Sequence, residues 1–104
     1  QHTHGNMKGP NGGPMQDVAG VHAELLVSGN EVTINLFDEA DKPTAAKGFS
    51  GTLLIVSGSA RETVQLAVAG ESSLKAAAKT PPPAGAQVTL VLKNAAGKSG
   101  QVKF

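Results

Sequence analysis

The amino-acid sequence predicts an all-β domain: a small antiparallel β-sandwich or barrel of seven to eight strands, of immunoglobulin-like size, with an irregular N-terminal arm. Three observations carry that reading. Apolar residues fall at every second position through most of the chain, the period of a strand with one buried face. Clusters of Gly, Asn, Asp, Ser and Pro separate these runs at short intervals, as turns do. The length, 104 residues, suits one compact core but not a core plus a separate catalytic layer.

Residues 1–14 are rich in Gly, Asn and Pro and show no hydrophobic period, so they read as an arm, and residues 15–104 as the single β-domain. The first clear strand carries Val21, Ala23, Leu25 and Val27. The Ser28-Gly29-Asn30 turn leads to a second with Val32, Ile34 and Leu36. Leu53-Leu54-Ile55-Val56 is apolar on both faces, and alternation returns in Val64, Leu66 and Val68, in Val88, Leu90 and Leu92, and in Val102 and Phe104. Turn chemistry falls at residues 38–43, 57–59, 69–71, 81–85 and 94–97. Residues 72–79 hold Leu74 and an Ala run with helix propensity, but the segment is short for a stable helix and reads as a strand or loop.

Composition excludes several functions. Nine Lys and Arg against eight Asp and Glu give no field to steer the chain to phosphate backbones or anionic lipid. The aromatic residues are Phe37, Phe49 and Phe104, too few for stacking platforms for bases or sugars. No apolar run approaches the ~20 residues of a membrane-spanning helix. The absence of Cys removes disulfides, thiolate metal sites and a thiol nucleophile.

Metal-ligand chemistry is concentrated at one end. His2, His4, Met7, Met15 and His22 are all the His and Met of the chain, a crowding that random placement would produce roughly once in a few thousand trials and that is a compositional mark of metal binding. Imidazole suits copper, zinc and nickel, and thioether sulfur suits Cu(I), so the mixture points to a copper ion, Cu(I) or Cu(II), ahead of zinc. His2 and His4, two apart, project to one side of an extended segment. A free α-amino group beside His2 would add nitrogen ligands. His22 lies on the first clear strand, on the face opposite Val21 and Ala23, where Glu24 could join it as a carboxylate ligand. The glycine-rich stretch at residues 9–14 could let the arm fold back and bring Met7 or Met15 near His22. The competing reading of the same residues is structural: an arm without a partner, a solvated strand His, and Met as core filler.

Other motifs carry less. The acidic segment Asp38-Glu39-Ala40-Asp41 lacks the spacing, glycine and closing Glu of an EF-hand loop and reads as a solvated turn closed by Lys42-Pro43. Residues 9–13 could pass for a phosphate cradle, but no strand precedes them and no Lys-Ser/Thr follows. With no Gly-x-Ser-x-Gly elbow, and every His at the N-terminal end, nothing selects a catalytic group, and a non-enzyme is expected.

The run Gly9-Pro10-Asn11-Gly12-Gly13, then His22-Ala23-Glu24-Leu25, then Leu36-Phe37-Asp38 leading to Lys42-Pro43, resembles a small periplasmic β-domain. That domain occurs in some adaptor subunits of heavy-metal efflux pumps and in free-standing relatives. The resemblance is clearest over residues 9–43. It implies a periplasmic protein concerned with copper or another heavy metal, with His22 at the position of the family's strand histidine. The start at Gln1-His2, without an initiator Met, fits a mature form whose targeting segment has been removed. The expected function is thus a periplasmic metal-binding protein that sequesters or transfers copper in metal resistance, its partners being the ion and a metal-handling or efflux protein. The alternative is a non-catalytic structural or interaction module with incidental His and Met.

Overall fold

Alternating apolar residues and two-residue turns fold the chain into hairpins, and the hairpins assemble into one antiparallel sheet. The structure, a computed structural model, describes residues 9, 11–40, 42–79 and 86–104. Eight strands follow in chain order: β1 (Met15–Val18), β2 (Val21–Ser28), β3 (Glu31–Phe37), β4 (Ser50–Ser57), β5 (Ala60–Val68), β6 (Ser73–Ala77), β7 (Gln87–Lys93) and β8 (Ser99–Lys103). The spatial order is β1-β2-β3-β6-β5-β4-β7-β8, so β6 crosses over to lie against β3. The all-β expectation of seven to eight strands holds, and residues 73–77 of the Ala-rich segment form a strand.

Turn residues set the register of each hairpin. Ala19 and Gly20 both have positive φ (52° and 84°), as a two-residue primed turn requires, and they place Val18 opposite Val21 and Asp17 opposite His22. Gly29 and Gly58, each at φ 61°, open the two-residue turns between β2 and β3 and between β4 and β5. Residues 81–85, predicted as a turn, lie outside the described residues.

The sheet bends on itself until β1 and β8 touch, giving a nearly closed, barrel-like domain with a Cα radius of gyration of 12.7 Å. β5 makes the bend: residues 60–66 pair with β4, and Ala67 and Val68 pair with β6. Val68 is therefore half exposed despite its inward parity. Val27 is also exposed, at the rim, one residue before the β2–β3 turn pair. Where β1 meets β8, Val18 and Ala19 lie against Gly100, and Asn94 Nδ2 donates to the Ala19 carbonyl at 3.2 Å. Inside, Ile34, Leu36, Leu53, Leu74, Leu90 and Leu92 are fully buried, each stabilising the fold by about 1.5–3 kcal/mol through removal from water.

Candidate functional site

The predicted ligands that can be placed all lie on the outer face of β1 and β2. Residues opposite each other in an antiparallel pair share a face, so Met15 lies with Glu24 and Asn35, and Asp17 with His22 and Phe37. The intervening Ala23 and Leu25 point into the core. Met15 is buried yet stands outside the interior cluster, because its parity puts it on this outer face. His2, His4 and Met7 lie outside the described residues.

Glu24 departs most from expectation. A strand carboxylate on the solvent-side parity should be exposed, but Glu24 is 0% accessible. Its Oε2 accepts hydrogen bonds from the backbone N–H groups of Asn11 (2.9 Å) and Gly13 (3.0 Å), and its Oε1 accepts one from Asn11 Nδ2 (3.0 Å). The segment that covers it is a tight turn: Gly9 N–H donates to the Gly13 carbonyl, Gly12 N–H donates to Gly9, and Gly12 has φ 87°. Leu25 N–H then donates to Pro14, extending the β1–β2 contact. Gly9 and Asn11 to Pro14 are thus docked on β2, within the stretch read from sequence as arm.

The same hydrogen-bond pattern occurs at residues 94–98. Asn94 N–H donates to Lys98, Gly97 N–H donates to Asn94, and Gly97 has φ 91°. There Asn94 Oδ1 accepts the N–H groups two and four residues on, Ala96 (3.0 Å) and Lys98 (2.9 Å). Asp38 does likewise for Ala40 and Lys42 (2.8 and 3.0 Å), which accounts for the acidic segment as a self-capped turn. At residues 9–13 the first residue is glycine and has no side chain to cap with. Glu24 Oε2 binds the corresponding N–H groups, of Asn11 and Gly13, from another strand. The phosphate-cradle reading set aside for this stretch has no phosphate to fill it here: its backbone N–H groups are taken by the side chain of Glu24.

His22 is the more accessible predicted ligand. Its side chain is 18% exposed, and Nε2 lies 2.9 Å from Oδ1 of Asp17, its partner in register. Asp17 is not among the ligands predicted from the sequence. The signal was present in Asp17-Val18-Ala19-Gly20-Val21-His22, a two-residue turn that pairs Asp17 with His22 once both strands are assigned. Asn35 accepts from Ser73 Oγ at 2.6 Å, bringing another polar pair onto this face.

In chemical terms the face offers one imidazole backed by a carboxylate, one thioether below the surface, and a carboxylate already holding three donors. Recruiting Glu24 would break its hydrogen bonds to Asn11 and Gly13. Among the described residues no group of three His, Asp or Glu side chains is arranged to hold a metal ion. A shallow groove of about 380 Å³, lined by Pro43, Thr44, Ala45, Lys47, Gly70, Glu71 and Ser72, contains none of the predicted ligands. Among the described residues no helix is long and apolar enough to cross a membrane.

Comparison with family models, with characterised proteins and with solved structures gave no match.

Proposed function

We propose that this chain is a periplasmic copper-binding protein, without catalytic activity, that sequesters the ion or passes it on. His22 is its fixed imidazole, and His2, His4 and Met7 are ligands delivered by the N-terminal segment. One observation supports this above the others: Gly9 is held against Glu24, which lies two residues from His22 on the same face of β2. A chain spans at most ~3.3–3.6 Å per residue, so from Gly9 Met7 can reach ~7 Å and His4 ~18 Å. The separation of Glu24 and His22 along a strand is ~7 Å. The scattered ligands of the sequence are thereby tethered within reach of one another, and Glu24 serves as the anchor of the tether.

Titration with Cu(I), Cu(II) and Zn(II), followed by backbone and imidazole NMR, tests the proposal. Saturable shifts at His22 that weaken on His2→Ala, His4→Ala and His22→Ala are expected. Copper binding no tighter than that of a free peptide of residues 1–8 would overturn it.

A second reading, an interaction module, draws on the opposite face. The outward positions of β5, β4, β7 and β8 carry Arg61, Lys93 and Lys103 and no Asp or Glu, around Leu54, Val56 and Val91. A basic rim around apolar residues suits an acidic protein partner. A metal-independent complex with a defined acidic partner, abolished by Leu54→Lys, would favour that reading.

A further inference from the structure

Asn11 is the only Asn in the chain followed by Gly, and an Asn-Gly pair loses its side-chain amide readily because glycine leaves the following backbone nitrogen unhindered. The residue is exposed to water, yet hydrogen bonds hold both the atoms that would react and their surroundings. Asn11 Nδ2 donates to Glu24 Oε1 at 3.0 Å, Asn11 N–H donates to Glu24 Oε2 at 2.9 Å, and the Gly12 N–H donates to the Gly9 carbonyl at 2.9 Å. We propose that Asn11 is a deamidation site, that the docked turn withholds it from reaction, and that its deamidation unlatches residues 9–13 from β2. No metal ion takes part in this chemistry.

In the reaction the Gly12 nitrogen gives up its proton to water and attacks Asn11 Cγ; the bond from Cγ to Nδ2 breaks, and Nδ2 leaves as ammonia. Water then opens the cyclic imide at either carbonyl, giving Asp or the isomer in which the main chain runs through the side chain. In the docked turn, attack costs the hydrogen bond from Gly12 to Gly9, and departure of Nδ2 costs the one to Glu24. Reaction therefore proceeds through local opening of the turn. The product changes the contact with Glu24. A carboxylate replaces the Nδ2 donor opposite Glu24 Oε1, setting acceptor against acceptor and like charges within hydrogen-bonding range. The isomer also lengthens the backbone inside a turn closed between Gly9 and Gly13. Both products disfavour docking, so the step runs one way: opening permits deamidation, and deamidation prevents closing.

Incubation of the full, metal-free chain in mildly alkaline buffer, followed by digestion and tandem mass spectrometry, reads the site directly, with Asn30 and Asn35 as internal references. Deamidation at Asn11 should be at least about tenfold slower in the folded chain than in the urea-unfolded chain. Glu24→Ala should bring it most of the way to the unfolded rate while Asn30 and Asn35 stay slow. Asn11→Asp, which installs one product, should remove hydrogen-exchange protection at Gly13 and leave β4 and β7 protected. Adding Glu24→Gln should restore that protection, because the new amide can donate to the carboxylate at position 11 while its oxygen accepts both backbone N–H groups. Equal rates in the folded and unfolded chains, a rate untouched by Glu24→Ala, or full protection of Gly13 in Asn11→Asp would each overturn the proposal. Should Glu24→Ala not fold, the Asn11→Asp variants decide.

Discussion

Gly9 lies so close on Glu24 that a Cβ at residue 9 would overlap the carboxyl carbon of residue 24. At residues 38–42 and 94–98 the first turn residue caps the turn with its own oxygen. At residues 9–13 that role has moved to β2, and glycine is needed because the capping group fills the space of a side chain. Gly9→Ala should destabilise the domain by about 1–3 kcal/mol, through strain or loss of the capping bonds. Gly9→Asn combined with Glu24→Ala should recover part of that loss by rebuilding the turn in the form found at Asn94. Urea denaturation of Gly9→Asn, Glu24→Ala and the double variant gives the coupling energy. A double variant at least as unstable as the sum of the singles would contradict the equivalence of the turns.

Removing only the carboxylate leaves two backbone donors unsatisfied. Glu24→Ala should cost about 1–3 kcal/mol, with loss of hydrogen-exchange protection at Asn11 and Gly13 ahead of the rest of β2. Glu24→Gln should be milder. Its remaining carbonyl oxygen can accept both backbone N–H groups, and the Asn11 amide can turn its own oxygen toward the new NH₂. Equal losses in the two variants would mean that negative charge, rather than acceptor geometry, holds the turn.

Leu53 and Leu54 are adjacent and chemically identical, yet only Leu53 is fully buried, between Val64 and Leu90, while Leu54 faces outward beside Thr63 and Thr89. Leu53→Ala should cost about 2–5 kcal/mol, a large part of the stability of a domain this size. Leu54→Ala should cost about 1 kcal/mol or less, since its site is partly open to water. Chemical denaturation of both variants checks the orientation of a strand whose sequence alone leaves it ambiguous.

Ala19 holds a left-handed φ of 52° in the β1–β2 turn, which costs an L-residue about 1–2 kcal/mol. Ala19→Gly removes that strain but adds about 0.4–1 kcal/mol of unfolded-state entropy. A net gain of about 0.5–1 kcal/mol is expected, seen as a melting temperature raised by a few degrees. A fall would show that the methyl group's packing against the core outweighs its strain.

The strands were legible because each buries one face, so polarity alternates along Val21 to Val27 and Val88 to Leu92. Register was legible where two-residue turns join hairpins. The placement of β6 between β3 and β5 was not, since it depends on long-range pairing that leaves no local trace. Glu24 escaped for a related reason. Strand parity gives the face of a residue, but what lies over that face is decided by a turn eleven or more residues away. His22 was found by composition. Asp17 was passed over because an Asp just before a turn is the ordinary furniture of a β-protein.

If Glu24 anchors the segment that carries His2, His4 and Met7, releasing it should loosen copper binding to His22 by a calculable amount. With the turn docked, His4 is five residues from its fixed point at Gly9; with the turn released, it is ten residues from Pro14. Effective concentration falls as about the −3/2 power of linker length, so doubling the linker lowers it about threefold. For Met7 the free length grows from two residues to seven, giving roughly six- to sevenfold by the same rule. Glu24→Ala should therefore weaken copper binding by about three- to sevenfold, in calorimetric or chelator competition, without abolishing it. A loss of a hundredfold or more would instead make Glu24 a direct ligand. No change would mean that residues 1–8 bind copper independently of β2. Combining Glu24→Ala with His22→Ala decides between tether and ligand: in the tether case the second substitution leaves the first with nothing further to weaken.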